Sequence, residues 1–208
     1  MKKFIFVLAL SFVTFASAQT SDSASGKKTY LKANALFLPI GMLNLGLEHQ
    51  LGEKWTLQGE VFVSPWKSFM GKYAQIYMGG VEGRYYFNEA FKHWYVGGNL
   101  HFSAFNMQKW SYWSDRLAQY DPNSPFYRLS DLYQRGFSIM LGATIGYQWQ
   151  INDQWNLDLF VGGGHSEGFY HGYVKGLDIR YDDAERPWNR SGEFIPYKGG
   201  LMISYRLK

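Results

Sequence analysis

Two places in this 208-residue chain bring histidine and serine close in sequence, one of them with a carboxylate beside them, which are the ingredients of acyl transfer or hydrolysis. His101 and Ser103 share one face of a strand-like segment, and His165, Ser166 and Glu167 are consecutive. A nucleophile, its base and an orienting carboxylate must converge in space, and consecutive residues of a strand point to opposite faces, so adjacency alone builds no triad. A metal site has candidate donors in His165, Glu167, His171, Asp178, Asp182, Asp183 and Glu185, but no ligand spacing stands out. The stretch from Arg180 to Arg190 interleaves Asp and Glu with Arg, which reads as a self-compensated solvated loop. There is no cysteine, which excludes thiolate metal clusters, a thiol nucleophile, disulfides and the lipidated cysteine of a lipoprotein. The expectation is no catalytic residue, no cofactor and no metal, with an outer-leaflet lipid-modifying hydrolase or acyltransferase as the rival reading.

The elements that would position these groups are strands. From Gly136 to Ile151 the apolar residues Phe137, Ile139, Leu141, Ala143, Ile145, Tyr147, Trp149 and Ile151 alternate strictly with Ser138, Met140, Gly142, Thr144, Gly146, Gln148 and Gln150. Such alternation marks a strand with two unlike faces. Seven further segments read the same way: Thr29–Leu38, Leu43–Leu51, Trp55–Ser64, Gln75–Phe87, Trp94–Phe105, Trp155–Gly164 and Phe194–Leu207. Each would supply the roughly 9–11 residues that a tilted membrane strand needs. Tight turns at Gly52-Glu53-Lys54, Asn88–His93 and Asn152-Asp153-Gln154 alternate with outer connections, two of them long, over Asn106–Arg135 and His165–Glu193. The first outer connection, Pro39–Met42, is short. Even strand number with this alternation predicts an all-β, eight-stranded antiparallel up-and-down transmembrane barrel.

The polar face of the clearest strand is small, glycine-rich and uncharged, which suits a crowded lumen better than a face in water, where Lys and Glu would be expected. The apolar face is therefore assigned to lipid; a periplasmic soluble lipid-binding barrel would have the faces reversed. By the same parity Glu48, Gln50, Glu60, Glu82, Arg84, His101, Asp158, Lys198 and Arg206 enter the lumen as a polar network. At eight strands this predicts a plugged interior, with a narrow channel as the other reading. Trp55, Trp94, Trp149 and Trp155 all lie at the turn ends of their strands, as a membrane-interface girdle would require.

The N-terminus supplies the route. Lys2 and Lys3 precede an uncharged apolar run from Phe4 to Phe15, followed by Ala16-Ser17-Ala18. This is the pattern of a cleaved signal peptide over residues 1–18, too short to span a bilayer. A short flexible segment, 19–28, then leads into the barrel, 29–208. Loss of Lys2 and Lys3 brings the formal charge from +4 to about +2, which argues against a nucleic-acid partner. The partners expected are outer-membrane lipid, the barrel assembly machinery and a surface partner met by the outer loops. Those loops carry Trp110, Tyr112, Trp113, Tyr120, Phe126, Tyr127 and Tyr133 in one case and Phe169, Tyr170, Tyr173, Tyr181 and Trp188 in the other, and Leu129–Arg135 has the makings of a short helix. The chain finishes Tyr205-Arg206-Leu207-Lys208, so the aromatic signal that assembly machinery reads falls to Tyr205.

The segments Lys32–Leu38, Leu43-Asn44-Leu45-Gly46-Leu47-Glu48, Gly52-Glu53-Lys54-Trp55, Pro65-Trp66, Gly83-Arg84-Tyr85-Tyr86-Phe87 and Asp158–Gly164 resemble domain-of-unknown-function family 3575. The resemblance runs from Lys32 to the C-terminus. It implies a small outer-membrane-type β-barrel of a Gram-negative envelope and transfers no catalytic residue. The function expected is non-enzymatic, in envelope architecture or in surface interaction through the aromatic loops.

Overall fold

The computed structural model describes residues 26–207 apart from 121, 123, 178 and 183–186. The expected leader, residues 1–18, lies outside the described residues, as does most of the segment 19–28. The described residues form ten antiparallel strands: β1 Thr29–Asn34, β2 Leu43–Gln50, β3 Trp55–Ser64, β4 Ala74–Tyr86, β5 His93–Met107, β6 Leu117–Ala118, β7 Tyr127–Arg128, β8 Leu132–Gln150, β9 Trp155–Val174 and β10 Asn189–Leu207. Eight of them close into a ring in the order β1-β10-β9-β8-β5-β4-β3-β2, and β6 and β7 form a separate two-stranded hairpin in the third outer connection. One hydrogen-bonded row runs from Ala33 through Leu45, Val61, Gly79, Phe102, Ile139 and Glu167 to Gly192 of β10, whereas Ala33 itself pairs with Ile203 of that strand. With the bulge between Pro196 and Lys198 discounted, this offset is about ten residues, which for eight strands tilts them by about 40°.

Several boundaries differ from the sequence expectation. β1 stops at Asn34 instead of Leu38, because the Asn34 carbonyl accepts from the Phe37 N–H and its side-chain oxygen from the Leu36 N–H, turning the chain into a 3₁₀ turn at Leu38–Ile40 around Pro39. Only 6 and 8 residues of β1 and β2 are strand, short of the roughly 9–11 expected of each. On the opposite wall the strands are longer than read: pairs such as Leu132↔Val174 and Asn189↔Tyr170 extend β8, β9 and β10 well past their expected upper ends. The helix expected over Leu129–Arg135 is one 3₁₀ turn, Leu129–Asp131, because Leu132 to Arg135 are drawn into pairing with β9 and, from Gln134, with β5.

Parity sets the interior. Leu57, Val81, Leu100, Leu141 and Val161 face outward and are between 38% and 66% exposed, while Lys32, Glu48, Glu82, Arg84, His101 and Asp158 face inward and are fully buried. This reverses the usual placement of apolar and charged side chains. Inward glycines make the room: a Cβ at Gly146 would stand 2.5 Å from the Tyr95 ring, and one at Gly142 would strike the Tyr197 hydroxyl.

The turn end of the ring is corked. Phe91, in the β4–β5 turn, folds its ring inward at φ 70°, against Tyr30 at 4.6 Å and Tyr86 at 6.0 Å, with Ala90, Tyr95, Phe160 and Met202 completing an apolar layer. The turn is held because the Ala90 N–H donates to the Glu53 carbonyl of the neighbouring turn. Phe91→Ala is expected to lower unfolding stability by about 3 kcal/mol, as for other buried Phe truncations. Urea titration of the refolded protein in detergent, followed by tryptophan fluorescence, measures it.

Candidate functional site

The most concentrated chemistry in the molecule is a chain of buried charges across the middle of the lumen. Arg84 of β4 is its centre. Its Nη1 donates to Glu48 Oε2 of β2 at 3.0 Å and to Asp158 Oδ2 of β9 at 2.9 Å, its Nε donates to Glu82 Oε1 at 2.5 Å, and its guanidinium lies 4.5 Å from the centre of the Tyr95 ring. Lys32 of β1 spans the same two distant strands, reaching Glu48 at 2.6 Å and Asp158 at 2.5 Å. On the loop side a second group follows: Lys198 of β10 pairs with Glu82 at 2.6 Å and with Glu60 of β3, and His101 Nε2 donates to Glu60 Oε1 at 2.7 Å.

Neutral donors complete the carboxylates. Thr56 and Tyr86 hydroxyls stand 2.6 and 2.8 Å from Glu48 Oε1, Tyr95 donates to Asp158 Oδ1 at 2.9 Å, Thr144 donates to Glu82 at 2.7 Å and Gln58 to Glu60 at 3.1 Å. Four carboxylates are thus met by three permanent cations and five neutral donors besides His101. That satisfaction is what allows ions to remain in a space sealed from water, since an unpaired buried charge costs several kcal/mol. Above this layer Tyr197, the extra residue of the β10 bulge, turns its ring edge to His101 at 5.7 Å and donates its hydroxyl to Asn99.

The sequence parity placed Glu48, Glu60, Glu82, Arg84, His101, Asp158 and Lys198 in this network, and the structure brings all seven together. Arg206 is half-buried opposite Tyr30 at the turn end, and Gln50 lies at the mouth, bonded to the Lys28 N–H and the Gly52 carbonyl, so both are outside the main cluster. Lys32 was missed. Its signal was present in the alternation Tyr30, Lys32, Asn34 against Leu31 and Ala33, a lone lysine in the middle of an otherwise uncharged strand.

The serine–histidine candidates do not assemble. His165 and Glu167 face outward, 3.4 Å apart, with Glu167 also held by Arg190 at 2.9 Å, while Ser166 between them is buried on the lumen side. Ser103 pairs with Ser138 at 2.8 Å, and His101 is engaged with Glu60. Of the metal candidates, His171 and Asp182 are 3.9 Å apart, Asp178, Asp183 and Glu185 lie outside the described residues, and among the described residues no three His, Asp or Glu side chains are placed to hold a metal ion.

All four girdle tryptophans are outward, 40–54% exposed, and each has an aromatic neighbour: Trp55 with Tyr85 at 5.0 Å, Trp94 with Tyr147 at 5.2 Å, Trp149 with Tyr147 at 4.5 Å and Trp155 with Tyr205 at 4.8 Å. The loop aromatics divide into two groups. Tyr112 and Tyr181 share a 2.7 Å hydroxyl contact, and Tyr120 and Tyr127 pack on Tyr181, which ties the third outer connection to the fourth. Tyr133, Phe169, Tyr170 and Tyr173, read from sequence as loop residues, belong to the extended β8 and β9. Trp113, Leu117 and Phe126 remain exposed at the tip.

In the fourth connection, burial works to raise the Asp182 carboxyl, but Arg180 at 2.8 Å, the Gly172 backbone N–H and Asn189 together hold it below the usual carboxylate range. A depressed folded value means that the contribution is complete above the unfolded value, about 3.9, and is lost as pH falls through the lower folded one. Pepsin digestion should therefore leave this loop intact near pH 4 and nick it at progressively lower pH. Cutting at pH 4 as fast as at pH 2 would contradict the tie.

Removing the central cation is a sharper test. Arg84→Leu leaves Glu48, Glu82 and Asp158 short of a partner and is expected to cost about 3–5 kcal/mol, more than Arg84→Lys, which keeps the charge. Equilibrium unfolding in detergent compares the two.

The sequence profile of the family described as Protein of unknown function (DUF3575) matches residues 4–207, nearly the whole chain. No curated protein matches.

Proposed function

This chain belongs to that family of proteins of unknown function, and we propose that it is exported to a bacterial outer membrane, where it spans the bilayer as a sealed barrel and holds an ordered aromatic platform at the surface. The observation that carries this reading is the reversal of faces: a belt of exposed Leu, Val and Ile outside, and inside a charge network in which each of Glu48, Glu60, Glu82 and Asp158 meets a cation. An apolar exterior of this extent is costly in water and favourable in hydrocarbon. The tryptophan girdle supports the same setting, since indole and phenol rings bury their bodies while keeping N–H and O–H groups among headgroups. The alternative of a soluble carrier needs the apolar face turned inward.

Sealing follows from the interior. The Phe91 cork, the ion-pair layer and Tyr197 succeed one another along the axis, and three cations tied to four carboxylates leave no mobile row of like charges to pass an ion. The working part is then the loop end, where Tyr112, Tyr120, Tyr127 and Tyr181 make a rigid base and Trp113, Leu117 and Phe126 present apolar surface of the kind that dominates contact energetics. The role is architectural or adhesive, with no chemical step.

Two measurements test this. Membrane fractionation with a boiled and unboiled gel comparison is expected to place the protein with outer membranes and to show a heat-dependent shift in migration. A soluble periplasmic protein with no shift would overturn the reading. Planar bilayers containing the folded protein are expected to stay at baseline conductance, and discrete steady channels would replace the sealed barrel with a pore.

A further inference from the structure

The wall of the ring is not of even height. Tight turns hold the strand ends together at one side of the molecule, so differences in strand length appear at the other. β1 has 6 residues and its neighbour β10 has 19. At about 3.3 Å per residue and a tilt of about 40°, the wall steps by roughly 30 Å where the two meet. Their ladder ends at Asn34↔Met202, and from there upward no strand among the described residues lies beside β10 on that side. Its edge is blunted rather than paired: Leu201 O accepts from the Ala35 N–H, Gly199 O accepts from Asn34 Nδ2, and Pro196 has no N–H to offer.

We infer that this seam is a side opening through which one acyl chain of an outer-leaflet lipid enters the loop-side half of the lumen. The inference rests on the membrane reading above. β1 crosses only about half of a bilayer's hydrocarbon core, so the connection that continues it lies at the depth of the outer leaflet. That connection, Ala35 to Met42, contains no polar side chain, and Leu36, Leu38 and Ile40 are exposed. Trp66 clamps it from the next loop, its Nε1 donating to Ile40 O at 3.0 Å and its ring covering Gly41.

The lumen changes character at the same level. Below, Glu60, Glu82 and His101 are sealed; above them the β3–β5 wall turns the half-buried Phe62, Ile76, Met78 and Phe105 inward, among the uncharged Asn44, Ser64, Ser103 and Ser138, with the Lys109–Glu193 pair higher up. Those four apolar side chains give an acyl chain an apolar wall to lie against on the β3–β5 side of the lumen. Phe37 stands in the seam with its ring edge on Phe62 at 5.4 Å, so it guards the passage. Tyr197, hydrogen-bonded to Asn99, floors the space and keeps the chain off the charges. The adjoining loop from Pro65 to Tyr73 carries Lys67 and Lys72 and no acid, a match for the phosphate of the same lipid.

The native chain has no cysteine, so single probes are clean. Bimane is attached to Met78→Cys, inside, and separately to Phe102→Cys, which faces outward one row away. Both variants are placed in phosphatidylglycerol-containing vesicles with lipids carrying a nitroxide on an acyl chain, or with aqueous iodide. Nitroxide quenching of the Met78→Cys probe within about twofold of the Phe102→Cys probe, with iodide ineffective, is the expected result. Adding Phe37→Ala should raise the inner quenching further. If the outer probe is quenched by nitroxide and the inner one only by iodide, the space holds water and the inference fails while the membrane reading stands. If neither probe meets the nitroxide, the membrane reading fails and takes this inference with it.

Discussion

The guanidinium of Arg84 is gripped at once by Glu82 of its own strand, by Glu48 two strands away and by Asp158 from the far wall. Lys32 repeats the bridge from Glu48 to Asp158. Neighbouring strands of a ring are already joined by backbone hydrogen bonds, so these links matter because they join strands that are not neighbours. They fix the cross-section: β1, β2, β4 and β9 cannot move apart without stranding a charge where no water reaches it.

From this grip the other features of the interior follow. The charges demand hydroxyl and amide partners, which Thr56, Gln58, Tyr86, Tyr95 and Thr144 supply, and the bulk of those tyrosines demands glycine opposite, as Gly146 provides for Tyr95. An ion network of this kind is weak evidence for net stability, because its desolvation cost is comparable to its attraction, but it is strong evidence for one register. A one-residue slip of any strand would turn its charges outward and its leucines inward.

The two ends of the ring are closed by different means. Short turns leave one end so constricted that a single ring, Phe91, fills it. At the other end the long strands β8 and β9 lift the tyrosine cluster well above the charge layer, and between the two Phe62, Ile76, Met78 and Phe105 line the β3–β5 wall. The asymmetry traces to local chemistry. Asn34 and Pro39 end β1 early, whereas the paired aromatics Tyr133 with Tyr173, at 5.5 Å, and Phe137 with Phe169, at 5.1 Å, carry the β8–β9 ladder onward.

Much of this was legible in the chain. Alternation with period two depends only on the order of residues, so the strand character, the turn positions, the outward tryptophans and seven members of the charge network could be read directly. What alternation cannot convey is where a ladder stops, since that depends on a partner strand far away in sequence: β9 runs on to Val174 because β8 is there to receive it, and β1 halts at Asn34 because its own side chain recaptures the backbone. Nor could it convey which charges meet. The pairing of Lys32 with Asp158 spans most of the chain and exists only because ring closure brings β1 within reach of β9 across the lumen. The sequence by itself determined which faces are apolar and which polar; the tertiary structure decided how high each wall stands, which ions are partnered and where the ring is left open at the side, because strand length and ion pairing are properties of contacts and not of residue order.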